Sequence, residues 1–186
     1  MPRVLVTDTD MPDFAIEEEV LRPLGAEIRL APSSDEDTLA REAADCDAMM
    51  VGYAPVPERV LAAAADGGCR VVVRYGIGYD NVDVAAAQRL GIPVANVPDY
   101  CMDEVADHTV AMLLCQARKL LEAADSVAQG GWEIPKGDVP RLAGRCLGLV
   151  GLGRIGRRVG LRALAFGLRV TAYDPVVTSD TAGIAS

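Results

Sequence analysis

Leu147-Gly148-Leu149-Val150-Gly151-Leu152-Gly153-Arg154-Ile155-Gly156 and the later run Arg169-Val170-Thr171-Ala172-Tyr173-Asp174 decide the reading of this chain. An apolar strand runs into a glycine turn, a helix follows, and a second strand ends on an acid. Gly151 permits the tight bend, Gly153 lets main-chain N–H groups approach a diphosphate, and Gly156 brings the helix close to the strand. Unsatisfied N–H groups and the positive end of the dipole make the head of that helix a seat for an anion. A carboxylate at Asp174 accepts hydrogen bonds from a ribose 2′-hydroxyl and repels a 2′-phosphate, which points to NAD rather than NADP. The chain ends at Ser186, before the further strands that a complete nucleotide-binding sheet of this kind needs.

The remaining composition fits an α/β interior. Of 186 residues, 51% are hydrophobic and only 4% aromatic, so the core is aliphatic and large enough for one domain or two small ones. A formal charge of -9 argues against a nucleic-acid partner, whose affinity comes mostly from Lys and Arg releasing counterions. Five cysteines, Cys46, Cys69, Cys101, Cys115 and Cys146, are odd in number and contain no Cys-x-x-Cys pair. Neither a disulfide framework nor a zinc site is indicated, and reduced thiols in the cytoplasm are the expectation. Asp8 ends the first apolar run too soon for a signal peptide or membrane span.

Apolar runs at Val4–Thr7, Ala26–Leu30, Ala48–Val51, Arg70–Val73 and Val94–Val97 alternate with helical stretches near Phe14–Leu21, Asp37–Ala44, Glu58–Ala65 and Val84–Arg89. Strands with so little polar alternation are buried on both faces, which predicts a doubly wound parallel sheet with right-handed crossovers. From Met102 to Gln129 no Gly or Pro occurs, and apolar residues recur at Val105, Ala106, Val110, Leu113, Leu114, Ala117, Leu120, Leu121, Ala124 and Val127. That spacing predicts one continuous helix about 40 Å long, suited to bridging two domains or to forming a homodimer contact. Gly130-Gly131 ends it, and a linker with Trp132, Pro135, Gly137 and Pro140 leads to the strand at Leu147. The expected division is therefore a domain over 1–101 and a second, incomplete one over 102–186.

Three segments together, Arg74-Tyr75-Gly76-Ile77-Gly78-Tyr79-Asp80-Asn81-Val82-Asp83, then Asn96-Val97-Pro98-Asp99 with Glu104-Val105-Ala106-Asp107-His108-Thr109, then the glycine turn, resemble the D-isomer-specific 2-hydroxyacid dehydrogenases over nearly the whole chain. The resemblance implies a flavodoxin-like substrate domain followed by a Rossmann NAD-binding domain. It implies that Gly76, Ile77 and Gly78 receive the substrate carboxylate on main-chain N–H groups, with Ile77 also near the nicotinamide end of the cofactor. Glycines at 76 and 78 suit this because they can take positive φ, although an ordinary βα turn is the plainer reading. Thr109 matches a cofactor-contacting position, and Arg154 and Ile155 would offer N–H groups to the diphosphate. Tyr53, Tyr100 and Cys101 fall where relatives line the substrate pocket; Tyr53 reads equally as an aromatic capping the sheet edge.

No residue of this chain is assigned to catalysis. In relatives an arginine, an acidic residue and an acid/base histidine lie later in the sequence, at positions beyond Ser186 here, so the chain alone is expected to be inactive. His108, the only histidine, lies far upstream of that position and reads as a hydrogen-bonded interdomain residue. It has no spaced partner for a metal site. Asp8-Thr9-Asp10 could begin a phosphotransferase site, but an acid-rich entry to a helix, with Pro12 at an early helical position and Asp13 at the positive end, explains it. A non-catalytic NAD(H)-binding protein similar to the C-terminal-binding corepressors is the alternative of another class. It shares every segment quoted and would differ downstream and at a peptide-binding surface.

Overall fold

A computed structural model describes residues 1–132, 137 and 139–177; Pro135 of the expected linker lies outside them. The chain divides into two units, Met1–Tyr100 and Cys101–Ser186.

In the first unit the apolar runs become five parallel strands: β1 Arg3–Val6, β2 Glu27–Leu30, β3 Ala48–Val51, β4 Val72–Arg74 and β5 Val94–Ala95. Their order is β2-β1-β3-β4-β5, the flavodoxin-like arrangement, in which the chain reverses direction beside β1. The helices are α1 Ala15–Leu21, α2 Glu36–Ala43, α3 Glu58–Asp66 and α4 Val84–Arg89. Right-handed crossovers place α2, α3 and α4 together on one face and α1 on the other. Asp35 caps α2 by accepting from Thr38 N–H at 2.9 Å, and Asp83 caps α4 by accepting from Ala86 N–H at the same distance. Leu5, Leu39, Met49, Val51, Val60, Leu61 and Val72 are fully buried between sheet and helices. Each contributes about 1.5–3 kcal/mol of transfer free energy. By contrast α1 buries no residue. It begins three residues after Pro12, with Asp13 Oδ1 accepting from Ala15 N–H, so Pro12 precedes the helix rather than opening it.

The second unit departs from expectation at its first element. The single long helix is two, α5 Met102–Arg118 and α6 Leu120–Ala128, separated by Lys119 in the left-handed region at φ 52. The apolar pattern runs on through the break, and neither Gly nor Pro announces it. Cys101, at φ 50 just before α5, is the other described non-glycine residue in that region, where an L side chain is uncommon. Then β6 Cys146–Val150, α7 Arg154–Ala165 and β7 Arg169–Tyr173 form one βαβ turn with the strands parallel. A small core of Ala106, Val110 and Val159, with Leu114, Leu147, Leu149 and Ile155 packed against it, joins α5, α7 and β6. Asp103 of α5 pairs with Arg158 and Arg162 of α7, and Asp107 pairs with Arg162.

Candidate functional site

The C-terminal ends of β1, β3 and β4 converge on one cavity of about 360 Å³, at the end of a parallel sheet where ligands characteristically bind. Its wall is built by side chains that hold backbone. Asp8, just past β1, accepts from Tyr53 N–H at 2.6 Å, Ala54 N–H at 3.0 Å and the Thr7 hydroxyl at 2.6 Å. From the other side Asn81 Nδ2 donates to the carbonyls of Gly52 at 3.1 Å and Ala54 at 2.9 Å. The loop after β3 is thereby pinned at both faces. Gly52 is required there, since a β-carbon would lie 2.7 Å from the Asp8 carbonyl and carboxylate. Burial works to raise the Asp8 pKa, but the Thr7 hydroxyl and the loop N–H groups outweigh it and hold the carboxyl below its ordinary value.

Held in this way, Tyr53 offers its ring to Arg74, whose guanidinium carbon stands 5.7 Å from the ring centroid. The Arg74 Nε is buried without a hydrogen-bond partner. Tyr75 donates its hydroxyl to Glu17 at 3.0 Å; burial, then that neighbouring carboxylate, pushes its pKa up. Tyr53, Arg74, Tyr75 and Tyr100 all line the cavity.

Gly76, Ile77 and Gly78 do not line it, nor does either glycine have positive φ, contrary to the expectation for this loop. The need for glycine at 76 has another cause: a β-carbon would fall 1.5 Å from Arg74 Nη1, so the guanidinium occupies the space a side chain would take. The loop's carbonyls are engaged, Gly76 accepting from Val97 N–H at 3.0 Å and Ile77 from Asn96 Nδ2 at 2.7 Å. Its N–H groups at 76, 77 and 78 find no acceptor among the described residues. Three unclaimed main-chain donors beside a cation are what an incoming carboxylate needs. Cys101 is half-buried and does not reach the cavity.

In the second unit Gly151 bends the chain at φ +99, and a β-carbon at Gly156 would lie 2.4 Å from the Gly151 carbonyl oxygen. Strand and helix therefore meet only because residue 156 is glycine. At Gly153, by contrast, a β-carbon would meet nothing within 4 Å, leaving open space in front of the turn. The N–H groups of Gly153 and Ile155 have no acceptor among the described residues. Asp174 stands directly after β7, and its Oδ2 accepts from Leu152 N–H at 2.7 Å. Its Oδ1 accepts from Val176 and Val177 N–H, each at 2.9 Å. The Leu152 N–H, then those of Val176 and Val177, hold its pKa below the ordinary value. An ionised Oδ2 with one donor keeps a free lone pair. Thr109 uses its hydroxyl proton on the Val105 carbonyl at 2.7 Å. The His108 side chain is exposed on α5 and makes no hydrogen bond among the described residues.

The family described as D-isomer specific 2-hydroxyacid dehydrogenase, catalytic domain, matches residues 4–182. The chain belongs to this family. It is 36% identical over 179 residues to D-3-phosphoglycerate dehydrogenase of Sus scrofa, covering 96% of this chain and 33% of the relative. It is 35% identical over 182 residues to the enzyme of the same name from Methanocaldococcus jannaschii, covering 98% of this chain and 34% of that one. Among solved structures, the TT0316 protein of Thermus thermophilus superposes with a TM-score of 0.82 at 32% identity, covering 95% of this chain and 57% of the other. A D-lactate dehydrogenase of Aquifex aeolicus, solved with NAD and lactic acid, gives 0.83 at 27% identity, covering 96% and 53%. The chain thus spans about a third of the curated relatives it matches and a little over half of these solved chains.

Within this dehydrogenase-family chain, sequence reasoning missed Asp8 as the clamp on the Tyr53 loop, Asn81 as its counterpart, and Arg74 as the cation of the cavity. Only Arg74 carried a signal, by standing two residues before the glycine loop at the end of an apolar strand. Among the described residues no group of three or more His, Cys, Asp or Glu could hold a metal ion, and no helix is long and apolar enough to cross a membrane.

Proposed function

We propose that this chain is the substrate-binding domain and first nucleotide-binding unit of an NAD-dependent oxidoreductase acting on a small 2-hydroxy or 2-keto acid in the cytoplasm. The observation that carries the reading is the glycine turn. Its main-chain donors at Gly153 and Ile155 have no acceptor among the described residues, its helix is pressed on the strand through Gly156, and Asp174 sits beside it with a lone pair to spare. The residues present in the second unit fit NAD: Gly151, Gly153, Arg154, Ile155 and Gly156 hold the diphosphate, Asp174 takes the ribose, and Thr109 adds a further contact. When bound, NAD supplies the hydride acceptor or donor. Gly76, Ile77 and Gly78 receive the acid's carboxylate, while Tyr53 and Tyr100 bound its substituent.

Nothing among the described residues offers a histidine aimed at a hydroxyl proton, so the chain by itself has no turnover under this reading. Met112, Leu120, Leu121 and Val127 stand exposed on α5 and α6, and a homodimer through these helices would cover them. Isothermal titration of the 186-residue chain with NAD and with ADP-ribose tests the reading. Saturable binding of both, with NADP at least tenfold weaker, is the expected result; no binding of either overturns it.

A further inference from the structure

The cavity at the ends of β1, β3 and β4 carries an unusual balance of charge. Four carboxylates line it, those of Asp8, Asp10, Asp13 and Glu17, against the single guanidinium of Arg74. The partners of these acids are neutral. Asp8 takes the Tyr53 and Ala54 N–H groups, Asp13 the Ala15 N–H and Glu17 the Tyr75 hydroxyl. None of the four, and not Arg74 either, belongs to an ion pair among the described residues. A hydrogen bond from a neutral donor leaves the charge of a carboxylate in place, so the wall of the cavity carries four acids against one cation, with Asp8 and Glu17 partly buried and Asp10 and Asp13 exposed. Arg74 in turn lies against Gly76, which puts the positive spot at the junction with the unclaimed N–H groups. The cavity offers one place for one anionic group, and its remaining polar wall, on the segment entering α1, repels a second.

We propose that Asp10, Asp13 and Glu17 make this site selective for 2-hydroxy or 2-keto acids with an uncharged substituent, and that they reject acids bearing a phosphoryl group. This sets the chain apart from the D-3-phosphoglycerate dehydrogenases to which it is 36% identical. A phosphomonoester brings about two further negative charges at neutral pH. With the carboxylate held beside Arg74, those charges face the acids across the same cavity and are repelled by them. The inference rests on the reading of the first unit as the hydroxyacid site.

The test uses the 186-residue chain and two probes that differ only in the phosphoryl group, D-glycerate and D-3-phosphoglycerate. Affinities are read from NMR shifts of the Gly52, Tyr53 and Gly76 amides. At about 20 mM salt D-glycerate binds at least tenfold more tightly, about 1.4 kcal/mol. Raising salt to about 500 mM shortens the screening length to a few ångströms and shrinks that ratio. In the triple variant Asp10→Asn, Asp13→Asn, Glu17→Gln, which keeps the accepting oxygens, the ratio falls at least fivefold. Equal affinities at low salt, with both probes shifting these amides, overturn the selectivity and leave the hydroxyacid site standing. Failure of both probes to shift them overturns the site and the selectivity with it. The salt series needs no mutation, so an unfolded variant leaves the proposal exposed to refutation.

Discussion

The two units are built from the same strand-turn-helix grammar, yet they distribute burial differently. In the first, β1 and β3 lie inside a five-stranded sheet, and Val6, Met49 and Val51 have no exposed surface. In the second, β6 and β7 form a two-stranded sheet among the described residues, and Val150 and Tyr173 are 93% and 68% exposed. A strand reaches full burial only when flanked on both edges and covered on both faces. The contrast shows that the first unit is held by its core, whereas the second is held by α5 and α7 gripping one small cluster with ion pairs at its rim. The site of the first unit is accordingly cut into a rigid scaffold. That of the second is a backbone shape which depends on a few close contacts.

Hydrogen exchange and unfolding would break this comparison most directly. Leu61→Ala removes a fully buried side chain and is expected to cost the first unit about 2–5 kcal/mol. Leu149→Ala, at a half-buried site on β6, should cost less than half as much. The slowest amides should lie in β1 and β3, with β6 and β7 exchanging much faster. Equal protection in the two sheets would show that the second unit is held by more than the cluster around Ala106, Val110 and Val159.

Next in size is a pair of glycines within the turn itself. Gly156→Ala drives a methyl group to 2.4 Å from a backbone carbonyl that has no flexible end to yield. It should destabilise the second unit by about 1–3 kcal/mol and abolish nucleotide binding. At Gly153 a β-carbon meets only open space and φ is -73, so Gly153→Ala should leave stability unchanged and weaken NAD at least tenfold. Thermal unfolding and titration on both variants separate the two roles. If Gly153→Ala binds NAD as the parent does, the open space is not where the diphosphate lies.

These positions also show what was legible in the sequence. The order of strands and helices could be read because apolar runs and turn residues punctuate it, and β3 and α4 occupy the residues expected of them. The role of Gly156 was readable because close helix–strand packing is a backbone requirement. The break at Lys119 was not, since a lysine in the left-handed region violates local preference and the apolar spacing continues through it. Nor was the reason for Gly76, which lies in the path of the Arg74 side chain rather than in its own φ. Asp8 was hidden for a similar reason. Its partners, Tyr53 and Ala54, are 45 and 46 residues away, and only the fold brings them together.

Asp8 supplies a smaller effect with a defined pH dependence. Its folded pKa is depressed, so the stabilisation it gives is present above the unfolded value of about 3.9 and is lost as pH falls through the folded value. Asp8→Asn should therefore cost about 1 kcal/mol at pH 7, after allowance for solvent screening, and progressively less as pH falls through the folded value. Denaturant melts of the two proteins across that range give the difference directly. A constant difference would mean that the loop is held by shape and not by the ionised carboxylate.

The smallest effect concerns Asp174, where the second unit most resembles the first: a depressed carboxylate again clamps loop N–H groups. Asp174→Ala removes both the charge and the acceptor for Leu152 N–H, so loss of NAD affinity in that variant mixes ribose recognition with collapse of the turn. Asp174→Asn retains a carbonyl oxygen able to accept from Leu152 and isolates the charge. Its NAD affinity should fall about three- to tenfold, and the preference for NAD over NADP should narrow because repulsion of the 2′-phosphate is gone. Unchanged discrimination in Asp174→Asn, measured by titration with both cofactors, would assign the acid to holding the turn alone, and the resemblance to Asp8 would then extend from structure to role.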